Sequence, residues 1–102
     1  MFGLIGKMTA VPGKREELLW ILLGGVGEMP GCLSYVVARD PTNKEAIWIT
    51  EVWDSEASHK ASLSLSAVQT AIKGAMPLIA TFNEHIKTEP VGGHGFRMPA
   101  AG

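Results

Sequence analysis

Alternating apolar and polar residues open the chain and predict a β-strand over residues 2–11. One face of this strand carries Phe2, Leu4, Gly6 and Met8. A Pro-Gly pair at residues 12–13 ends the strand. The next segment begins with charged residues and continues as LLWILL at residues 18–23, which predicts a helix that Gly24, Gly25 and Gly27 weaken and end.

The apolar residues of this first helix point in every direction around its axis, because successive side chains are about 100° apart. A helix of that kind is buried on more than one side. We therefore expect it to cover its own sheet and also to contact either the second helix or a partner subunit.

Two further strands are predicted over residues 32–40 and 45–54, joined by the turn sequence DPTN. This turn indicates an antiparallel hairpin. In the first of the two strands, Tyr35 shares a face with Leu33, Val37 and Arg39. In the second, Trp48 lies on one face, whereas the other face carries Ile47, Ile49, Glu51 and Trp53.

A second helical region follows, and Asp54 or Ser55 is predicted to cap it. We expect a break at residues 65–66, where Ser66 to Gln69 has the spacing of a capping box and restarts the helix as far as Ala75. Residues 76–80 are predicted to form a short irregular turn. The last strand is expected over residues 81–89, with Phe82 on one face and His85 on the opposite, outer surface of the sheet.

The resulting order, β-α-β-β-α-β, is typical of a ferredoxin-like α+β fold with a four-stranded antiparallel sheet and two helices on one face. The other sheet face then lies bare, although many of its residues are apolar. A homodimer that packs sheet against sheet would cover it.

Composition agrees with a single domain that has an additional interface, since 46% of the 102 residues are hydrophobic and 19% are charged. The domain is expected over residues 1–91, followed by a Gly/Pro-rich tail at 92–102. A net charge of −1 argues against nucleic acid as a partner. The N-terminus lacks a signal-peptide pattern, and no apolar run is long enough to span a membrane, so we expect a cytoplasmic protein.

Aromatic and ionisable residues are concentrated between Ala46 and Leu65, where Trp48, Glu51, Trp53 and His59 occur close together. His59 could accept a proton from a substrate, because imidazole titrates near neutral pH, or it could simply be a partly solvated helix residue. Glu51 needs a partner if it is buried. It could orient His59, or it could pair with Lys7 or another cation. The single cysteine and the three histidines show no metal-ligand spacing.

Four segments together resemble the antibiotic biosynthesis monooxygenase domain family, within the dimeric α+β barrel group, and more narrowly its members described as quinol monooxygenases. The segments are GKMTAVPGKREEL, MPGCLSY, IWITEVWDSEASHKASL and AVQTAI followed by MPLIA. The likeness extends from about Gly3 to Val91. It implies a homodimer with a pocket between helices and sheet in each protomer.

The resemblance also implies a reaction: oxygen insertion into a quinol or polycyclic phenol with O₂ and no cofactor. His59 matches the histidine of the family's second helix, in the pattern Glu51-x-Trp53…His59, so the expected catalytic set is His59, Trp53 and Glu51. Tyr35, Leu63, Met76 and Phe82 are predicted to line the substrate pocket, although core packing is the alternative for each.

Two other functions stay open. The first is a non-catalytic dimeric module that binds a small hydrophobic aromatic ligand. The second is haem binding or degradation, but haem-degrading relatives carry an asparagine early in the first strand, and residues 2–6 here contain none.

Overall fold

A computed structural model describes residues 1–95 of the chain. It contains four strands, three α-helices and one short 3₁₀ segment. In chain order the elements are β1 (Phe2–Ala10), α1 (Arg15–Gly24), β2 (Cys32–Arg39), β3 (Ala46–Trp53), α2 (Glu56–Ser62), α3 (Ser66–Ala75), the 3₁₀ segment (Met76–Leu78) and β4 (Ile79–Thr88).

The strands form one antiparallel sheet in the order β2-β3-β1-β4, which is the ferredoxin-like arrangement expected from the sequence. The predicted hairpin of β2 and β3 is confirmed, with Tyr35 directly opposite Glu51. The helices cover one face of the sheet. We call this the helix face and the other the open face.

The second helical region is divided as expected, and the predicted cap of its first helix is confirmed. Ser55 caps α2 by accepting a hydrogen bond from the backbone N–H of Ser58 at 3.1 Å. The predicted capping box at Ser66 is wrong, because Leu65 occupies the cap position of α3 and no side chain bonds there. The expected turn over residues 76–80 is also shorter, since β4 begins at Ile79.

The alternation predicted for β4 is wrong, because the pairing of β4 with β1 shifts register in the middle of the strand. Phe82 pairs with Met8, whereas Glu84 pairs with Lys7, so Asn83 is an extra residue in β4. Paired residues point to the same face of a sheet. His85, which pairs with Gly6, therefore lies on the helix face together with Phe82 and not on the outer surface.

The hydrophobic core lies between the helices and the sheet. Its largest fully buried side chains are Trp53, Leu18 and Ile47. Helix α1 contributes Leu18 and Leu19 to this core. It also packs against α3, so it contacts the second helical region, which was one of the two expected neighbours. Its Trp20 and Leu23, however, are 68% and 41% exposed. Burial of α1 on all sides is therefore not observed within the chain.

The open face carries a row of paired residues that crosses all four strands and is apolar except for Thr50 on β3, and we call it the apolar row. Its members are Val36, Thr50, Ile5 and Ile86. Val36 is 53% exposed and Ile86 is 45% exposed. Trp48 also lies on this face, where its Nε1–H donates to Asp40 at 2.8 Å and Lys7 Nζ lies 5.2 Å from the ring centroid.

Among residues 1–95 there is no helix of the length and apolarity that membrane crossing requires. Residues 92–95 of the predicted tail contain neither helix nor strand. The remainder of that tail, residues 96–102, lies outside the described residues.

Candidate active site

A cavity of about 340 Å³ lies between the helices and the helix face of the sheet. Its volume is within the range of small-molecule sites. Every residue that the sequence nominated for the site lines this cavity, namely Tyr35, Glu51, Trp53, His59, Leu63, Met76 and Phe82. The fold thus brings all seven residues to one cavity. Lining a cavity does not by itself assign a role to any of them.

Glu51 and Trp53 form the inner polar end of the cavity. Both lie on the helix face of β3, two residues apart, so that their side chains are neighbours. The Nε1–H of Trp53 donates a hydrogen bond to Glu51 Oε1 at 2.9 Å. Because the Trp53 ring is only 1% exposed, this bond holds the carboxylate in one position.

His59 lies in the first half of α2 and approaches Glu51 from there. The cap residue Ser55 starts this helix directly after β3. Its Nε2 lies 3.9 Å from Glu51 Oε1, which is an ion-pair distance and too long for a direct hydrogen bond. The imidazole packs edge-on against Trp53, with ring centroids 5.4 Å apart, and Phe2 lies on another side at 5.7 Å. The ring therefore has a defined place beside the carboxylate.

Burial raises the pKa of Glu51 above its ordinary value. Three influences oppose this shift: the hydrogen bond from Trp53, the charge of His59 and, more weakly, the charge of His85. The last of these identifies His85 as part of the electrostatic surroundings of the site. The register shift in β4 is responsible, because it turns His85 toward the helix face.

Tyr35 is the remaining titratable group of the cavity, opposite Glu51 on the neighbouring strand. Burial, followed by the nearby Glu51 and Cys32, raises the pKa of its phenol far above the ordinary value. Its hydroxyl is consequently protonated at neutral pH. It can donate a hydrogen bond to a ligand oxygen, but it cannot serve as a base there.

Much of the cavity wall comes from residues that the sequence did not indicate. The end of α1 and the segment after it contribute one side, and one face of α3 contributes another. These residues are Leu22, Gly25, Val26, Met29, Val68, Ala71, Ile72 and Ala75. The α3 set follows helical i, i+3, i+4, i+7 spacing, so its common face could have been found from sequence. Leu22, Gly25, Val26 and Met29 have the same spacing, but α1 ends at Gly24, so these four residues do not form one helix face.

The structure also decides between the partners considered for Glu51. Lys7 lies on the open face, where its Nζ is 3.8 Å from Asp40 Oδ2, so it does not pair with Glu51. The partners of Glu51 are Trp53 and His59. Within residues 1–95, no three His, Cys, Asp or Glu side chains form a group that could hold a metal ion.

Comparison with known proteins identifies the relatives of this chain. The sequence profile described as antibiotic biosynthesis monooxygenase matches residues 1–74. The chain belongs to this family. The crystal structure of a protein of the same family from Chloroflexus aurantiacus J-10-fl is 65% identical, with a TM-score of 0.91, over 92% of this chain and 96% of that one. No match was found among curated proteins.

Other solved structures share the fold at low sequence identity. A family protein from Caulobacter crescentus CB15 is 20% identical, with a TM-score of 0.81, over 89% of this chain and 90% of that one. A protein from Pseudomonas aeruginosa is 21% identical, with a TM-score of 0.78, over 89% and 94%. The family match supports a monooxygenase-like role in general terms for the chain.

Proposed function

We propose that this protein is a cofactor-independent monooxygenase that oxidises a quinol or a polycyclic phenol with O₂. The observation that carries the proposal is the placing of Glu51, Trp53 and His59 together at the inner end of an otherwise apolar cavity. An aromatic ring would pack against the apolar side chains of the cavity, and its hydroxyl group would lie beside Glu51 and His59.

The proposed reaction begins with proton transfer from the substrate hydroxyl to His59. The resulting anion gives one electron to O₂, forming superoxide and a substrate radical, and these two combine in a new carbon–oxygen bond. Loss of the proton on that carbon then cleaves the O–O bond. One oxygen atom stays on the substrate and the other leaves as water, so the substrate supplies all four electrons.

Each polar residue has a distinct part in this scheme. His59 is the proton acceptor, and the negative charge of Glu51 at 3.9 Å stabilises the imidazolium that forms. Trp53 is a positioning residue, because its Nε1–H donates to the Glu51 carboxylate and holds it beside His59. Tyr35 donates a hydrogen bond to a substrate oxygen.

The proposal is tested by oxygen uptake with a panel of quinols. A positioned general base contributes about 10²- to 10⁴-fold to a rate, so His59→Gln should lower kcat by about 100-fold or more. His94→Gln is the matched control, because His94 is exposed in the C-terminal segment and is not among the residues lining the cavity. Equal rates for His59→Gln and the wild type would remove His59 from the mechanism.

The active form in this proposal is a homodimer that joins two sheets by their open faces. The apolar row through Val36, Ile5 and Ile86 supports it, since an exposed apolar stripe across a whole sheet is typical of an interface. The cavity lies on the opposite, helix face of each sheet. Each protomer would therefore keep its own site.

A second candidate is a non-catalytic module that binds an aromatic ligand. The predominantly apolar lining of the cavity favours it, because binding alone needs few polar groups. Quenching of tryptophan fluorescence by quinols, in the absence of any oxygen uptake, would support this function and contradict the monooxygenase.

A further inference from the structure

The mouth of the cavity is surrounded by large apolar side chains that water can reach. Leu63, Ile72, Met76 and Phe82 all line the cavity and are respectively 44%, 43%, 52% and 62% exposed. They come from the end of α2, from α3, from the 3₁₀ segment and from β4. We call these four residues the collar.

The collar contrasts with the inner end of the same cavity. There Trp53 is 1% exposed, and the Glu51 and His59 side chains are 16% and 21% exposed. The ionisable groups Glu51 and His59 are thus less exposed than the collar, and apolar lining residues such as Ile49 and Ala75, 6% and 2% exposed, are buried with them. The exposed side chains at the mouth are apolar.

The size of the cavity adds a second constraint. At about 340 Å³ it is near the lower end of the range for small-molecule sites, which is roughly 300–1,000 Å³. A system of two or three fused rings would fill it, since a cavity of about 150 Å³ holds one benzene ring. Any further part of the ligand would leave through the mouth and lie on the collar.

From these observations we infer that the ligand is an aromatic alcohol with an uncharged alkyl or isoprenoid tail, whose ring enters first and whose tail lies across the collar. This inference rests on the proposed function for the identity of the ring. The tail must be uncharged, because the collar contains no acidic or basic side chain that could pair with a charge on the tail.

Burial of collar area by the tail provides the binding energy in this account. A fully buried methylene group strengthens binding by about fourfold, which corresponds to ~0.8 kcal/mol. A tail that lies on an open collar is covered on one side only. We therefore expect each added methylene to strengthen binding by about twofold.

The test is a series of 1,4-dihydroxynaphthalenes with one n-alkyl substituent, from methyl to hexyl. Dissociation constants are measured by calorimetry under argon, so that no turnover interferes, and oxygen uptake is measured separately in air. The inference predicts a steady decrease in Kd along the series. The same Kd for every chain length, a Kd that rises with length, or no binding by any member would overturn it.

Variants of the collar test whether the dependence of Kd on chain length arises there. The double variant Met76→Gln with Phe82→Ser should roughly halve the dependence of binding on chain length, and both residues are exposed enough for the fold to tolerate the changes. Trp20→Gln is the control, because Trp20 is 68% exposed on α1 and is not among the lining residues. An undiminished dependence in the double variant, or an equal loss in Trp20→Gln, would contradict the collar.

The two readouts separate this inference from the proposed function. Binding that strengthens with chain length, without any oxygen uptake, would support the collar and contradict the monooxygenase. Oxygen uptake with the same KM for every chain length would support the monooxygenase and contradict the collar. A partner subunit that covers the collar would produce the second result.

Discussion

Glu51 is the residue on which the proposed site depends most. A carboxylate inside an apolar cavity is costly unless it has partners, and here Trp53 provides a hydrogen bond while the His59 imidazole lies 3.9 Å away. The burial of Glu51 still outweighs these contacts, since the pKa of the carboxyl is raised. The residue is therefore retained at some expense to stability, which is typical of functional groups.

This expense predicts how Glu51→Gln changes stability with pH. In the wild type, the folded-state pKa of Glu51 lies above the ordinary value of 4.5. The folded state therefore binds this proton more tightly than the unfolded state, and stability falls as pH rises from about 4.5 through the folded pKa. Glutamine does not titrate, so the advantage of Glu51→Gln over the wild type should grow with pH.

Urea denaturation of both proteins between pH 4.5 and pH 8 measures this difference directly. Each unit of raised pKa corresponds to about 1.4 kcal/mol. A difference in unfolding free energy that is constant, or that shrinks toward pH 8, would contradict the buried carboxylate.

The elements of the fold show where reasoning from sequence succeeds and where it stops. Strand order and the two faces of β3 were predictable, because the alternation of Trp48 against Glu51 and Trp53 is a local property of one regular strand. The faces of β4 were not, because the extra residue Asn83 is defined only by pairing with β1. A single such residue reverses every later side chain, which is why His85 was misplaced.

The register shift in β4 makes a prediction about electrostatics. His85 faces the same side of the sheet as Glu51, and its charge helps to lower the pKa of Glu51. Its replacement in His85→Gln should therefore raise the pKa of Glu51 further. NMR titration of the Glu51 carboxyl carbon measures this pKa, and His94→Gln serves as the control. An unchanged pKa in His85→Gln would place His85 too far away to matter.

The packing of α1 against α3 depends on Gly25. A Cβ atom added at this position would lie 2.6 Å from the Cβ of Ala71, whereas one added at Gly24 would meet nothing within 4 Å. Gly25→Ala should thus destabilise the fold by about 1–3 kcal/mol through overpacking. Gly24→Ala should be neutral or slightly stabilising, since it removes freedom from the unfolded chain.

Thermal or urea unfolding of the two variants provides the comparison. Adding Ala71→Gly to Gly25→Ala should recover the part of the loss that exceeds the cost of about 1 kcal/mol for a glycine inside a helix. Equal stabilities for Gly25→Ala and Gly24→Ala would contradict the prediction, because α1 and α3 would then accommodate the added methyl group without loss of stability. Because Gly25 and Ala71 both line the cavity, the same variant also reports on the shape of the site.

At the scale of the whole molecule, residues 1–95 leave apolar surfaces uncovered that several elements build together, among them the row on the open face and the collar. The sequence indicated the first, through apolar residues on both sides of its strands. It could not indicate the second, because the collar unites four elements that are distant in the sequence. It likewise showed Glu51, Trp53 and His59 as candidates, but not the hydrogen bond that joins Glu51 to Trp53.

The open face should be the dimer interface. The wild type is expected to have about twice the 10.9 kDa mass of one chain in light scattering after size exclusion. Ile86→Lys places a charge in the apolar row and should shift the protein to monomer, whereas Trp20→Gln on α1 should not. A wild type that runs as a monomer would contradict the interface, and so would an Ile86→Lys variant that stays dimeric.

The central claim is that this protein transfers one atom of O₂ to an aromatic alcohol, and isotope labelling tests it most directly. The wild type is incubated with a quinol under ¹⁸O₂, and the product is analysed by mass spectrometry, with H₂¹⁸O under ordinary O₂ as the exchange control. The account predicts one ¹⁸O atom in the product from ¹⁸O₂, and about 100-fold less of this product with His59→Gln. A product without ¹⁸O, or equal labelling by His59→Gln, would contradict it.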